Sequence, residues 1–275
     1  MLVARFDDRK QYSVMTLMTA AFYFSDLWFI TLPLWSLVLA ALLFDEDLVL
    51  NRWEFWTLVS AVMAVGITQM WIPEGNDYFL IFYLTLIALQ GSHAATPMAV
   101  IALNARLLVG IVFSLASFWK LVSESFRSGA FFTLDLLFED RLGPLTLYLA
   151  GLPRPAFLEN RSALEQLDLT EGFTVNANPV VTSIAHVLTW TTIAVEISVA
   201  AVFLIPLKQS KNLRDPALLL FCAGAYLVMP VPSFGMCLAT LGFAQTPYRV
   251  YKTLYLVAYI LMPLTATRYW LLRPI

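Results

Sequence analysis

Two apolar runs, residues 97–121 and 182–206, constrain this chain more than any other feature, because each is long enough to cross a bilayer as a helix. At 1.5 Å per residue the first would rise about 37 Å, against a hydrocarbon core of about 30 Å. Backbone groups in lipid must be bonded within the segment, which leaves helices or closed barrels. Neither run shows the two-residue alternation of a barrel strand. The rest of the chain agrees: 60% of its 275 residues are hydrophobic and 13% charged, where a soluble domain carries about 25% charged residues. The expected fold is all-α: a polytopic integral membrane helical bundle of about seven to eight spans, one domain over residues 1–275, with one extracytoplasmic cap segment at 123–181. A net charge of −2 gives no support for nucleic-acid binding.

Further apolar segments fall at 12–44, 55–73, 78–90, 217–243 and 252–272. Asp26 and Pro33 interrupt the first, which reads as an interfacial helix leading into a span, one kinked helix, or two short passes. Pro230, Pro232, Ser233 and Gly235 break the 217–243 segment near its middle. With the buried charges, that break is what favours a transporter, and no internal repeat accompanies it. The cap segment contains SESFRSGAFFTLDLLFEDRLGP, which reads as an amphipathic surface helix. Asn160, Arg161 and Ser162 match a glycosylation sequon that carries little weight without a eukaryotic secretory context.

Basic residues set the expected orientation. Lys208, Lys211 and Arg214 share a short loop, and Arg268 and Arg273 lie near the C-terminus, so both regions read as cytoplasmic and the 123–181 segment as external. Arg5, Arg9 and Lys10 prefer the same side, which requires an extra pass within 12–44 and gives about eight spans, with seven as the alternative. The N-terminal run has no small-residue cleavage site and is expected to be retained. A bacterial inner membrane is the expected location.

The chemistry concentrates on two helices. Arg106, Gly110, Phe113, Ser117 and Lys120 share one face of the first. A charge at the bilayer centre costs about 2.5 to 3.5 kcal/mol on insertion scales, so such residues face a protein interior or a wet cavity. Lys120, flanked by Phe118 and Trp119, is a candidate general base, or else an anchor that snorkels to the outer interface. Arg106 is placed deeper and calls for a partner, for which Glu196 on the second helix is the first candidate. Glu196, Thr192, Thr189 and Thr182 form a polar stripe there, with His186 on its shoulder. The expected ligand-binding set is Arg106, Glu196, His186, Thr189 and Thr192. No metal site is expected. His93 and His186 are the only histidines, which excludes multi-histidine di-iron boxes and leaves a bis-His haem as the one familiar metal option. Cys222 and Cys237 read as apolar packing. Lys252 lies at the start of the last segment, whereas a retinal protein needs its lysine in the middle.

The residues RLLVGIVFSLASFWKL, the aromatic-Arg-Ser-Gly turn at 126–129, the helix IAVEISVAAVFLIPLK and the segment PSFGMCLATLGF carry a family likeness over roughly residues 97–243. They resemble the membrane domain of vitamin K-dependent gamma-carboxylase-like proteins, the HTTM family, with a more distant likeness to DoxX-type proteins. The resemblance implies that Lys120 takes the place of the base that deprotonates a reduced quinone, and that Glu196 takes the family's intramembrane acidic position. Two departures move the expectation away from peptide-glutamate carboxylation. The large domain that follows the bundle in true carboxylases has no counterpart before Ile275, and the segment at 232–241 has no histidine. The function expected is therefore an HTTM-like membrane protein with an intramembrane polar pocket that binds a quinone-like or lipid ligand, with quinone-linked chemistry left open. The alternative is a non-catalytic accessory subunit of a larger membrane complex, respiratory or photosynthetic in type. Its partners are membrane lipids and, on the second reading, other membrane-protein subunits.

Overall fold

The computed structural model describes residues 7–23, 32–37, 39, 52–69, 76–139, 142–143, 145–165, 177–206, 210–228 and 231–272. Asp26, Lys208, Pro230 and Arg273, and most of the 24–51 segment, lie outside the described residues. All regular structure among the described residues is helical. The helices are α1 (Asp8–Tyr23), α2 (Trp53–Gln69), α3 (Asn76–His93), α4 (Pro97–Val122), α5 (Ala130–Phe138), α6 (Arg154–Glu165), α7 (Pro179–Leu204), α8 (Ser210–Val228), α9 (Pro232–Gln245) and α10 (Arg249–Leu272). Two of them, α4 and α7, are long and apolar enough to cross a membrane, and α2 and α3 are shorter apolar helices.

Helix starts follow the local chemistry. Pro97 and Pro179 occupy first-turn positions of α4 and α7, where a missing N–H costs nothing and φ is already helical. Asn178 caps α7 by accepting from the Val181 N–H at 2.9 Å. On α4 the buried residues are Ile101, Ala105, Val109, Gly110, Phe113 and Ser117, the inward stripe that the spacing predicts.

The centre of the bundle is α9, a short helix that the sequence reading does not single out. From Ser233 to Ala244 every residue except Phe234 is buried, and α1, α3, α4, α8 and α10 all pack against it. Gly235 and Gly242 permit this crowding. A Cβ at either would collide with the ring of Tyr226 or Tyr255.

The expectation of one broken span over 217–243 is corrected. Helices α8 and α9 form an antiparallel hairpin. The carboxylate of Asp215, near the start of α8, accepts from Gln245 and Thr246 at the end of α9. At the other end, Tyr226 Oη donates to the Val231 carbonyl at 2.7 Å, just before α9 begins. Pro232 cannot sit inside a continuous helix, because its ring removes a bond and clashes with the preceding turn. The chain uses that stop to reverse, not to kink. Of the two observations that favoured a transporter, the broken span and the buried charges, the first is thereby removed.

This reversal also changes which ends coincide. Asp8 bonds Lys252 at 2.5 Å, the ring of Trp53 lies 5.4 Å from that of His93, and Arg214 donates toward the Val202 carbonyl near the end of α7. The starts of α1, α2, α4, α8 and α10 therefore meet the ends of α3, α7 and α9 at one end of the bundle. That end holds Arg9, Lys10, Arg52, Lys211, Arg214, Arg249 and Lys252 and is called the basic end below. Because α8, α9 and α10 make three traverses, the end of α10, which bears Arg268, lies at the opposite end from Lys211 and Arg214. The expectation that these two basic regions share a side is corrected on that ground.

The expected amphipathic helix over 123–144 is also broken. A single turn at Glu124–Arg127 ends at Gly129, whose φ of +75° is left-handed, and α5 then starts in a new direction. The segments α5 and α6 build a small core of their own with the start of α7, centred on Leu136, Leu137, Leu152, Phe157, Val181 and Ala185. Asn160 is buried in this layer, at 1% exposure, so it does not present a glycosylation acceptor.

Candidate functional site

Helices α4 and α7 run antiparallel and touch closely at Gly110. A Cβ there would lie 2.5 Å from Leu204 Cδ2. That close approach sets the register, and it brings Lys120 opposite Glu196. Lys120 Nζ lies 2.6 Å from Oε1 and 2.8 Å from Oε2 of Glu196, with side chains 16% and 7% exposed. An ammonium that donates to both oxygens of one carboxylate is a strong, charge-assisted arrangement. It also answers the desolvation of each charge, which neither side chain would survive cheaply alone.

An aromatic cap closes over the pair. Lys120 Nζ stands 5.6 Å from the centroid of Phe126, and Phe126 stacks on Phe131 with centroids 4.2 Å apart. The left-handed turn at Gly129 makes this possible, and the His186 ring lies against the position a Gly129 side chain would fill, with Nδ1 at 3.1 Å. Toward the outside, Phe118, Trp119 and Trp190 are exposed.

The other residues expected at the site divide. Thr189 is fully buried but bonds back to the Ala185 carbonyl of its own helix at 2.9 Å. Ser117 does the same with the Phe113 carbonyl, at 2.7 Å. Thr192 is half-buried on the flank of the stripe, and His186 and Thr182 are exposed. Arg106 is not part of this site. Fourteen positions separate it from Lys120, about 21 Å along the helix, so the expected pairing of Arg106 with Glu196 is corrected. Since Gly110 already faces Leu204 at the end of α7, Arg106 lies beyond the end of α7. It lies about 13 Å along α4 from Pro97, on the basic-end side of that helix's midpoint.

His93 sits where α3 meets α4, and His186 lies beyond the far end of α4. About 39 Å of helix separates those levels, which rules out a shared haem iron. Among the described residues no group of three or more His, Cys, Asp and Glu side chains is arranged to hold a metal. Cys222 and Cys237 are both buried and not in a disulfide, as apolar packing requires.

Two features escape a reading of the sequence. Phe126 is visible only as part of a motif, and its contact with Lys120 depends on the turn at Gly129. Asp215 is the other. It is 2% exposed and takes hydrogen bonds from Thr246 at 2.7 Å and Tyr255 at 3.1 Å as well as from Gln245, so one carboxylate ties α8, α9 and α10 together. The available signal was an acidic residue just before Pro216, in the first turns of a helix.

Comparison of the chain with family models, with curated proteins and with solved structures returned no match.

Proposed function

We propose that this chain is a polytopic membrane protein, HTTM-like and placed in a bacterial inner membrane, whose Lys120–Glu196 site binds a quinone-like or lipid molecule. The observation that carries the reading is the state of Lys120. A lysine ammonium has three N–H donors, and Glu196 takes two of them. The third is left for an acceptor such as a quinone carbonyl or a headgroup oxygen, beside Phe126 and close to the exposed Phe118 and Trp119. Orientation follows the basic end, which by its Lys and Arg content faces the cytoplasm and leaves the α5–α6 cap outside.

The pair also constrains the chemistry. An ammonium that donates to a carboxylate presents no lone pair, so Lys120 acts as a base only once a proton has passed from Nζ to Glu196, which leaves a neutral amine beside a carboxylic acid. The test is identification of the small molecules that leave the membrane with purified wild type, Lys120→Met and Glu196→Gln. The reading expects one quinone or lipid species to be lost from both variants while they stay monodisperse. Unchanged ligand content in both variants sinks it.

A second reading, the accessory subunit, is favoured by a different observation: Ser117 and Thr189 spend their hydroxyls on their own helices, as purely structural residues do. A monodisperse monomer with no co-purifying membrane protein counts against it.

A further inference from the structure

At the basic end, α4 runs on beyond the end of α7, and two arginines meet there. Arg106 lies one turn from Gly110, which packs on Leu204, and Arg214 reaches the same corner from α8. Its Nε and Nη2 stand 3.4 Å from Val202 O and Ser210 Oγ, both at the long limit for a hydrogen bond. The charge of Arg106 acts on Arg214 across this corner. The Nε of Arg106 is buried and has no hydrogen-bond partner. The adjacent carboxylate, Asp215, offsets part of the charge on Arg214, but its oxygens are engaged by Gln245, Thr246 and Tyr255. Among the described residues neither guanidinium is in an ion pair.

We propose that Arg106 and Arg214 form a binding site for a phosphate group, supplied by the headgroup of an anionic phospholipid at the basic end of the bundle. Two guanidiniums on neighbouring helices repel unless an anion lies between them. The planar fork of arginine matches phosphate oxygens with paired, charge-assisted bonds. Leu103, Leu204 and Leu213 are exposed around the corner and offer an apolar surface to an acyl chain, which favours a lipid over free phosphate. Lys211 is exposed in the same turn of α8 and adds positive charge at the rim. This site is separate from Lys120 and Glu196, about 21 Å away along α4, and does not depend on the ligand proposed there.

The test uses the full chain, purified in mild detergent and offered phosphatidylglycerol and phosphatidylcholine of equal chain length, with bound lipid counted by native mass spectrometry. Wild type should prefer phosphatidylglycerol by about tenfold, the size of one charge-assisted contact. Arg106→Gln and Arg214→Gln should each abolish most of that preference, Arg106→Lys should keep part of it, and Arg154→Gln, at an exposed arginine of α6, should leave it unchanged. Each arginine variant reports independently, so a folding failure of one leaves the other decisive. In a second arm inorganic phosphate is titrated against thermal unfolding. Stabilisation of wild type but not of Arg106→Gln, without lipid preference, assigns the phosphate to a soluble source and overturns the lipid assignment. No preference and no phosphate response in wild type, or a monodisperse Arg106→Gln that keeps the preference, overturns the site.

Discussion

Lys120 and Glu196, 76 positions apart in the chain, place an ammonium within 2.6 and 2.8 Å of the two oxygens of one carboxylate. This pair is the single ionic link between α4 and α7 among the described residues, and its partners are buried enough that each depends on the other. Lys120→Met should therefore destabilise the protein by about 3 to 5 kcal/mol, since it strands a buried carboxylate. The double variant Lys120→Met with Glu196→Gln should recover much of that loss. Thermal unfolding of the four proteins of the cycle in one detergent checks both statements, and additive losses would contradict them.

The contact between Gly110 and Leu204 gives a steric prediction. Gly110→Ala puts a methyl group 2.5 Å from Leu204 Cδ2, which should cost about 1 to 3 kcal/mol as overpacking. Adding Leu204→Ala should relieve most of the clash. Failure of that rescue would mean that α4 and α7 do not meet in this register.

The carboxylate of Asp215 holds three helices through neutral donors. Asp215→Asn replaces an acceptor-only group with one that carries an NH₂, and should cost about 1.5 to 3 kcal/mol through the charge-assisted bonds it weakens. Tyr255→Phe removes one donor and should cost less, about 1 kcal/mol. Equal losses, read from unfolding midpoints, would argue against Asp215 as the common acceptor.

Topology is open to chemical labelling. Cys222 and Cys237 are buried, so single introduced cysteines can be read against a low background. Cysteines at Lys211 and Arg249, both exposed at the basic end, should react from the same side of the membrane. A cysteine at the exposed Ser125 should react from the opposite side. Reaction of Lys211→Cys and Arg249→Cys from opposite sides would refute the α8–α9 hairpin.

The helices were legible in the sequence because length and apolarity are local properties. Residues 97–121 and 182–206 fall within three residues of α4 and α7 as the structure has them. The inward face of α4 was legible for the same reason, since a helix fixes which residues share a side. Relations between helices were not. A proline break within an apolar stretch is compatible with a kink or a reversal, and the choice was made by Asp215 meeting Gln245 and Thr246, thirty and thirty-one positions away. The pairing of Glu196 with Lys120 in place of Arg106 depends on a register set by Gly110 and Leu204, which no periodicity reveals. His186 stands on the shoulder of the site's helical face, yet the turn at Gly129 decides what it touches.

The burial of α9 bears on how such a protein is assembled. At fourteen residues it is about 21 Å long, shorter than a hydrocarbon core of about 30 Å. Alone it would be a poor candidate for insertion by a translocon, so in the proposed membrane setting it enters with α8 as a pair and waits in a half-made groove. The last wall of that groove is α10, whose Tyr255 reaches Asp215 and which is synthesised after all the others. Closure of the bundle around α9 then waits on a helix made after it: until α10 docks, this buried helix has one side without its partner.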